Sequence, residues 1–163
     1  NNDKFVILDT MNYWIEKTEK KLFQAINKAN LIVINDEESR MLVKSNSLQK
    51  CAEFIMNCVP EYVIIKKGSE GAELFSNHKK TSIPAYEISK VVDPTGAGDS
   101  FVGGICGYLN SINKIDFTEL HNSMVYGTVI ASFCIEDFGL ARLQKTSIKN
   151  IDERIKTFSK YLL

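Results

Sequence analysis

The residues with chemistry to offer are concentrated between Val91 and Phe101, which read Val-Val-Asp-Pro-Thr-Gly-Ala-Gly-Asp-Ser-Phe. Gly96 and Gly98 flank a small Ala97 just before a helical pattern. Glycine lets a backbone approach a ligand closely and take positive φ. The unpaired N–H groups of a helix's first turn, with the positive end of the dipole behind them, make an anion site suited to phosphate. Pro94 sets the approach to this turn. Asp99 is the unusual member, because a carboxylate repels the phosphate that the loop attracts. It makes sense if it serves the other reactant, accepting a proton from an attacking hydroxyl. The plainer alternative is an acid that caps the helix, and on a glycine turn plus Asp alone that alternative is preferred. The chain has neither a Walker A run nor a dinucleotide-type GxGxxG. Gly103 and Gly107, four residues apart on the following helix, permit close packing of a neighbouring element.

Positioning such a loop needs a scaffold, and hydrophobic patterning supplies one. Phe5–Leu8, Leu31–Ile34 and Tyr62–Lys66 are short apolar runs that read as buried strands. Ile88–Val92 reads as a further strand, and Ala72–Phe75 with Thr81–Tyr86 as a hairpin. Between them, Trp14–Ala29 reads as one helix with Ile15, Leu22, Ile26 and Ala29 at helical spacing. Asp36, Glu37 and Glu38 open a short helix, Ser47 caps another running through Cys58, and Gly68–Gly71 is a turn. Helices are expected over Asp99–Tyr108, Thr118–Ile135 and Ser147–Tyr161. Apolar strands alternating with helices argue for an α/β fold with a parallel sheet covered on both faces. Ligands in such folds bind beyond the carboxyl ends of the strands. Asn35, Lys67-Gly68 and Asp93–Asp99 all follow predicted strands, so these candidate sites are expected on one edge.

Composition narrows the function classes. The chain has 163 residues, with Lys+Arg 20 balanced by Asp+Glu 20. That balance offers no electrostatic bulk for nucleic-acid or membrane binding, and neither partner is expected. The apolar runs are far short of a membrane span. Four scattered cysteines form no CxxC pair, and no signal peptide is visible, which makes the cytoplasm the expected compartment. The chain begins at Asn1-Asn2 without Met and enters a strand-like run almost at once, as a part of a longer protein does.

The run Asp93-Pro94-Thr95-Gly96-Ala97-Gly98-Asp99-Ser100-Phe101, followed by Gly103-Gly104, resembles the C-terminal signature of the ribokinase-like (PfkB) carbohydrate kinases. Asn35-Asp36-Glu37-Glu38 resembles the family's Asn-x-x-Glu motif after a strand. Val63–Ala72 resembles its nucleotide-contacting strand and glycine turn, and Gly127–Gly139 its late helix and loop near the adenine. The resemblance implies a ribokinase-like three-layer α/β sandwich with a mostly parallel sheet, present as its C-terminal portion only over residues 1–163. It implies ATP as phosphoryl donor, and Asp99 as the base that activates a hydroxyl of a sugar or nucleoside. Gly96, Ala97 and Gly98 are then the anion hole. Asn35 and Glu38 sit near the phosphates, with Glu38 holding Mg2+ through water. Gly68 and Gly71 shape the nucleotide pocket, and Gly127 and Ala131 let the base lie against a helix. Lys66 and Lys67 depart from the apolar or hydroxyl residues often seen before the family's glycine, and Lys67 is a candidate to touch phosphate. Asp93 and Thr95 match positions that hold a monovalent cation such as K+ in some members. Asp at position 99 follows the sugar and nucleoside kinase branch, since the vitamin-kinase branch usually carries Cys there.

Plainer readings stand beside these roles. Asn35 can be a helix cap, Glu38 a solvated helix residue and Lys67 a solvated strand-end lysine. Trp14 is expected to pack, while Asn12 lies at a strand exit. The competing function is a nucleotide-binding or regulatory module without kinase activity. The N-terminal half of the family's pattern, with its Gly-Gly signature and lid, is not recognisable, so this chain is expected to lack the acceptor site and to show little activity alone. A homodimer is an expectation only for the complete protein.

Overall fold

The computed structural model describes residues 4–162, and the chain divides after Ser82 into two compact units. The first unit is built on a five-stranded sheet in the order β1 (Ile7–Asp9), β2 (Leu31–Asn35), β3 (Tyr62–Lys66), β4 (Ala72–Ser76), β5 (Lys80–Ile83). β1, β2 and β3 run parallel, with Leu8 opposite Ile32 and Val33 opposite Ile64, whereas β4 is antiparallel to β3. The sheet is therefore mixed, and its three parallel strands end on the same edge. Leu31–Ile34 and Tyr62–Ile65 are buried along their whole length, as expected of strands covered on both faces.

Four helices connect these strands: α1 (Asn12–Lys17), α2 (Glu19–Ile26), α3 (Asp36–Val43) and α4 (Leu48–Met56). Ile15, Leu22, Ile26, Leu42, Cys51 and Ile55 from them meet Ile32, Ile34, Val63, Ile65 and Phe75 from the sheet in one apolar core. The expected helix over Trp14–Ala29 is two helices broken at Thr18. There the backbone leaves helical geometry (φ −141°, ψ 37°), and the Thr18 N–H and hydroxyl both donate to Trp14 O at 3.0 and 3.3 Å. A threonine hydroxyl competing for a helix carbonyl is a known way to end a turn. Trp14 does not pack inward. It is 45% exposed and meets Tyr13 edge-on, because Ile15 takes the buried face of this short helix. A single-turn 3-10 helix, Gly68–Glu70, leads into β4.

The second unit contains α5 (Ala97–Leu109), α6 (Phe117–Cys134), α7 (Ala141–Gln144) and α8 (Ile148–Ser159). α5 and α6 pack backbone against backbone. A Cβ built on Gly104 falls 2.8 Å from Gly127 Cα, and one on Gly127 falls 2.7 Å from Phe101 O. Gly103 and Gly107, expected to make the close contact, face open space instead, since a Cβ on either meets nothing within 4 Å. α8 is tied to α6 by Arg154, which lies 3.5 Å over the Phe133 ring, donates to Ser132 Oγ and pairs with Glu136 at 2.7 Å. Ile88–Val92 forms no strand. The Val92 N–H is spent on the carbonyl of Ile135, the α6 cap, at 2.8 Å, so it joins no ladder. Among the described residues no helix is long and apolar enough to cross a membrane.

Candidate functional site

In the first unit the candidate residues sit where β2 and β3 end. Asn35 and Lys66 are register partners on adjacent parallel strands, so Asn35 and the Lys67-Gly68 turn leave the sheet on the same edge. Asn35 caps α3, its side-chain oxygen accepting from Glu38 N at 2.7 Å. Glu38 closes the reciprocal half of the capping box, its Oε2 accepting from Asn35 N at 3.3 Å. The same Oε2 accepts the hydroxyl of Thr10 at 2.9 Å, a contact across 28 positions of sequence that no local pattern announces. Glu38 is thus no solvated surface acid. It is 8% exposed.

Gly68 and Gly71 carry positive φ, 57° and 90°, which is why this turn needs glycine. It closes through Lys67 N to Gly71 O at 2.8 Å and Gly71 N to Gly68 O at 3.1 Å. The ammonium of Lys67, expected at the nucleotide, is committed to Glu73 Oε1 at 3.0 Å, and Lys80 holds the other oxygen at 3.0 Å. Burial alone pushes the Glu73 carboxyl upward, but the hydrogen bonds from Lys80 and Lys67 outweigh it and hold the group below its ordinary value.

In the second unit, Gly96 is the N-cap of α5 in the left-handed conformation (φ 81°, ψ 0°). The turn before it is closed by Ala97 N donating to Pro94 O at 3.2 Å, and Ser100 N then opens the regular helical ladder onto Gly96 O. Of the three residues expected as an anion hole, Ala97 therefore spends its N–H within the turn. The N–H groups of Gly98 and Asp99 carry no hydrogen bond among the described residues. Asp99 occupies the third helical position, is exposed, and makes no capping bond and no ion pair among the described residues. The capping reading has no support there. The carboxylate is held at a helix N-terminus, where the dipole favours its charge, with no cationic side chain paired to it among the described residues.

Asp93 lies outside the helix and turns back on the loop, accepting from Thr95 N at 2.9 Å. The Thr95 backbone and hydroxyl, with a smaller contribution from the Gly139 backbone, keep its carboxyl below the ordinary value. The later loop is tied in by Cys134, whose thiol lies 3.6 Å from Thr95 O and 3.8 Å from Gly139 O. Ala131 is half-buried, but Gly127 is buried in the α5–α6 contact, which explains its small size without a ligand.

Among the described residues no three His, Cys, Asp or Glu side chains gather as a metal site. Glu38 instead offers one carboxylate oxygen. No buried side-chain oxygen or nitrogen among the described residues lacks a partner. Oε1 of Glu38 has no partner among them, so it is the oxygen that reaches solvent. A single open carboxylate fits Mg2+, which keeps several waters and binds through one or two carboxylates together with substrate phosphates.

Known proteins share the fold and part of the sequence. A nucleoside kinase from Methanocaldococcus jannaschii is 28% identical over 145 residues, covering 88% of this chain and 44% of the kinase. An aminoimidazole riboside kinase from Salmonella enterica, solved with aminoimidazole riboside and an ATP analog, has a TM-score of 0.83 at 20% identity, over 93% of this chain and 52% of its own. A double-mutant fructokinase from Vibrio cholerae O395, solved with fructose, ADP and potassium ion, also reaches 0.83, at 17% identity over 93% and 50% of the two chains. These structural likenesses establish the ribokinase-type α/β fold. The chain spans half or less of the length of the curated relatives it matches. The model of the pfkB family carbohydrate kinases matches residues 1–146, through both the Asn35–Glu38 edge and the Asp93–Asp99 loop, and the chain belongs to that family.

Proposed function

We propose that the chain carries the phosphate-handling part of an ATP-dependent kinase that phosphorylates an alcohol group of a sugar or nucleoside. The observation that supports this best is Asp99. It is an exposed carboxylate without a partner among the described residues, on the same helical turn as the free N–H groups of Gly98 and Asp99. A carboxylate placed so accepts the proton of the acceptor hydroxyl as the hydroxyl oxygen attacks the γ-phosphorus of ATP. The N–H groups and the helix dipole stabilise the negative charge on the transferring phosphoryl oxygens, and Gly96 holds the turn that leaves them unpaired. The bond between the γ-phosphorus and the bridging oxygen breaks, and ADP leaves. Asn35 and the Gly68–Gly71 turn are assigned to nucleotide binding, and Ala131 to the surface against which the base lies. Glu38 is the residue that holds Mg2+, by way of its waters. When bound, that ion neutralises phosphate charge. Asp93 and Thr95 are the candidates for a monovalent cation.

The acceptor site is assigned to the part of the relatives that this chain does not cover, and the chain alone is expected to bind nucleotide weakly and turn over little. The test is Asp99→Asn in the full-length kinase, with ATP consumption followed over a panel of sugars and nucleosides. Turnover falls about 10²- to 10⁴-fold, the scale of a general base, while nucleotide affinity stays near wild type. Retained turnover refutes the base assignment. Robust turnover by the 163-residue chain alone refutes the division of labour.

A further inference from the structure

We infer that Thr10 is a positioning residue for Glu38. Its hydroxyl turns one carboxylate oxygen inward and thereby presents the other to a phosphate-bound divalent cation. The inference rests on the proposed role of Glu38 at the nucleotide phosphates.

The geometry is that of a relay across three parallel strands. Lys66 at the end of β3 reaches over β2 to Asp9 at the end of β1, Nζ to Oδ1 at 3.0 Å. The same Oδ1 accepts Thr10 N at 3.0 Å, which fixes the backbone of Thr10. Thr10 is 9% exposed and branched at Cβ, so its hydroxyl has few directions available. It donates to Glu38 Oε2 at 2.9 Å. The other donor to that oxygen, Asn35 N, is longer at 3.3 Å and belongs to Glu38's own helix cap.

A carboxylate is two-fold symmetric, so the cap alone does not set the plane of the group. A second donor from a different strand does. Both bonds converge on Oε2, and Oε1 is left as the oxygen that reaches solvent. If the Thr10–Glu38 bond were only a staple between β1 and α3, nothing would require the second oxygen to stay open.

The test uses fluorescent ATP binding to the chain, titrated in EDTA and in Mg2+, with Mn2+ electron paramagnetic resonance as a second readout of the metal. Wild type binds nucleotide more tightly with Mg2+. Thr10→Val keeps the shape and removes the donor. It lowers the Mg2+-dependent gain about 10-fold or more and leaves metal-free affinity unchanged within about 2-fold, the scale at which outer-shell partners act on metal affinity. Thr10→Ser restores the gain, and weakens the Mn2+ signal little. Should Thr10→Val fail to fold, Thr10→Cys, a weaker donor of similar size, gives an intermediate loss. A full Mg2+ gain in Thr10→Val or Thr10→Cys overturns the inference. So does a parallel loss in EDTA and Mg2+, which marks a staple. Absence of any Mg2+-dependent nucleotide binding in wild type overturns the functional reading itself, and is distinguishable from both.

Discussion

Gly104 and Gly103 are adjacent on α5, yet the structure predicts opposite effects for the same substitution. A Cβ on Gly104 lies 2.8 Å from Gly127 Cα and 3.0 Å from both Gly127 N and Tyr126 O, all backbone atoms of α6. No side chain can swing away, so the helices must part by roughly 0.6 Å to restore an ordinary 3.4 Å contact. Overpacking of this kind costs about 1–3 kcal/mol. Replacing glycine by alanine inside a helix returns about 0.5–1 kcal/mol of propensity. Gly103→Ala collects that gain without a clash, because nothing lies within 4 Å of its Cβ. The propensity term is common to both variants and cancels in their difference. Gly104→Ala is therefore expected to be less stable than Gly103→Ala by about 1–3 kcal/mol, and Gly103→Ala slightly more stable than wild type. Urea unfolding reads this directly. With a slope of about 1–3 kcal/mol per molar urea, the two midpoints separate by roughly 1 M. Coincident midpoints refute the argument, since they require α5 and α6 to slide apart freely. The effect reaches the chemistry as well. Phe101, whose carbonyl seats Gly127, lies two residues beyond Asp99 on the same helix.

Two further outcomes follow from individual geometries. Gly96→Ala forces an alanine into φ 81° and is expected to destabilise by about 1–2 kcal/mol; a thermal midpoint equal to wild type refutes the turn assignment. Glu73 has its folded pKa depressed below the ordinary 4.5, so its contribution to stability is present above that value and is lost as pH falls through the folded value. Glu73→Gln is expected to flatten the fall in the urea midpoint below about pH 4.5. An unchanged acid slope overturns that reading.

The sequence made the central strands and the helix starts legible. Tyr62–Lys66 forms as expected, and Leu31–Ile34 extends only by Asn35, because four consecutive apolar residues admit few alternatives to a buried strand. Ser47 caps as expected, with a bond to Lys50 N, and the helix expected from Ser147 begins with Ser147 as its cap, bonded to Asn150 N. What escaped depends on partners distant in sequence. Ile88–Val92 has strand composition, but the carbonyl that takes the Val92 N–H belongs to the end of a helix more than forty residues on. Gly103, Gly104 and Gly107 are indistinguishable until α6 selects one of them. Lys67 looked free until Glu73 faced it on the neighbouring antiparallel strand. Thr10 carried no signal at all, since its partner is set by strand order.

The plain and the functional readings of a residue turn out to compete in one place and not in the other. At Asn35 and Glu38 the two are compatible. The capping box uses Asn35 Oδ1 and Glu38 Oε2, which leaves the Asn35 amide nitrogen without a hydrogen bond among the described residues and Glu38 Oε1 open. Fixing one atom of each side chain is what aims the other, so the cap pre-organises the group that would meet a ligand. At Asp99 the two readings are exclusive, and the geometry offers no support for the cap. A cap would need its carboxylate bonded to the first-turn N–H groups, but that carboxylate and the N–H groups of Gly98 and Asp99 stay unpaired among the described residues. Acid and donors on this exposed turn are thus both open to a ligand. The proposed reaction would deliver a proton to the one and negative charge to the other.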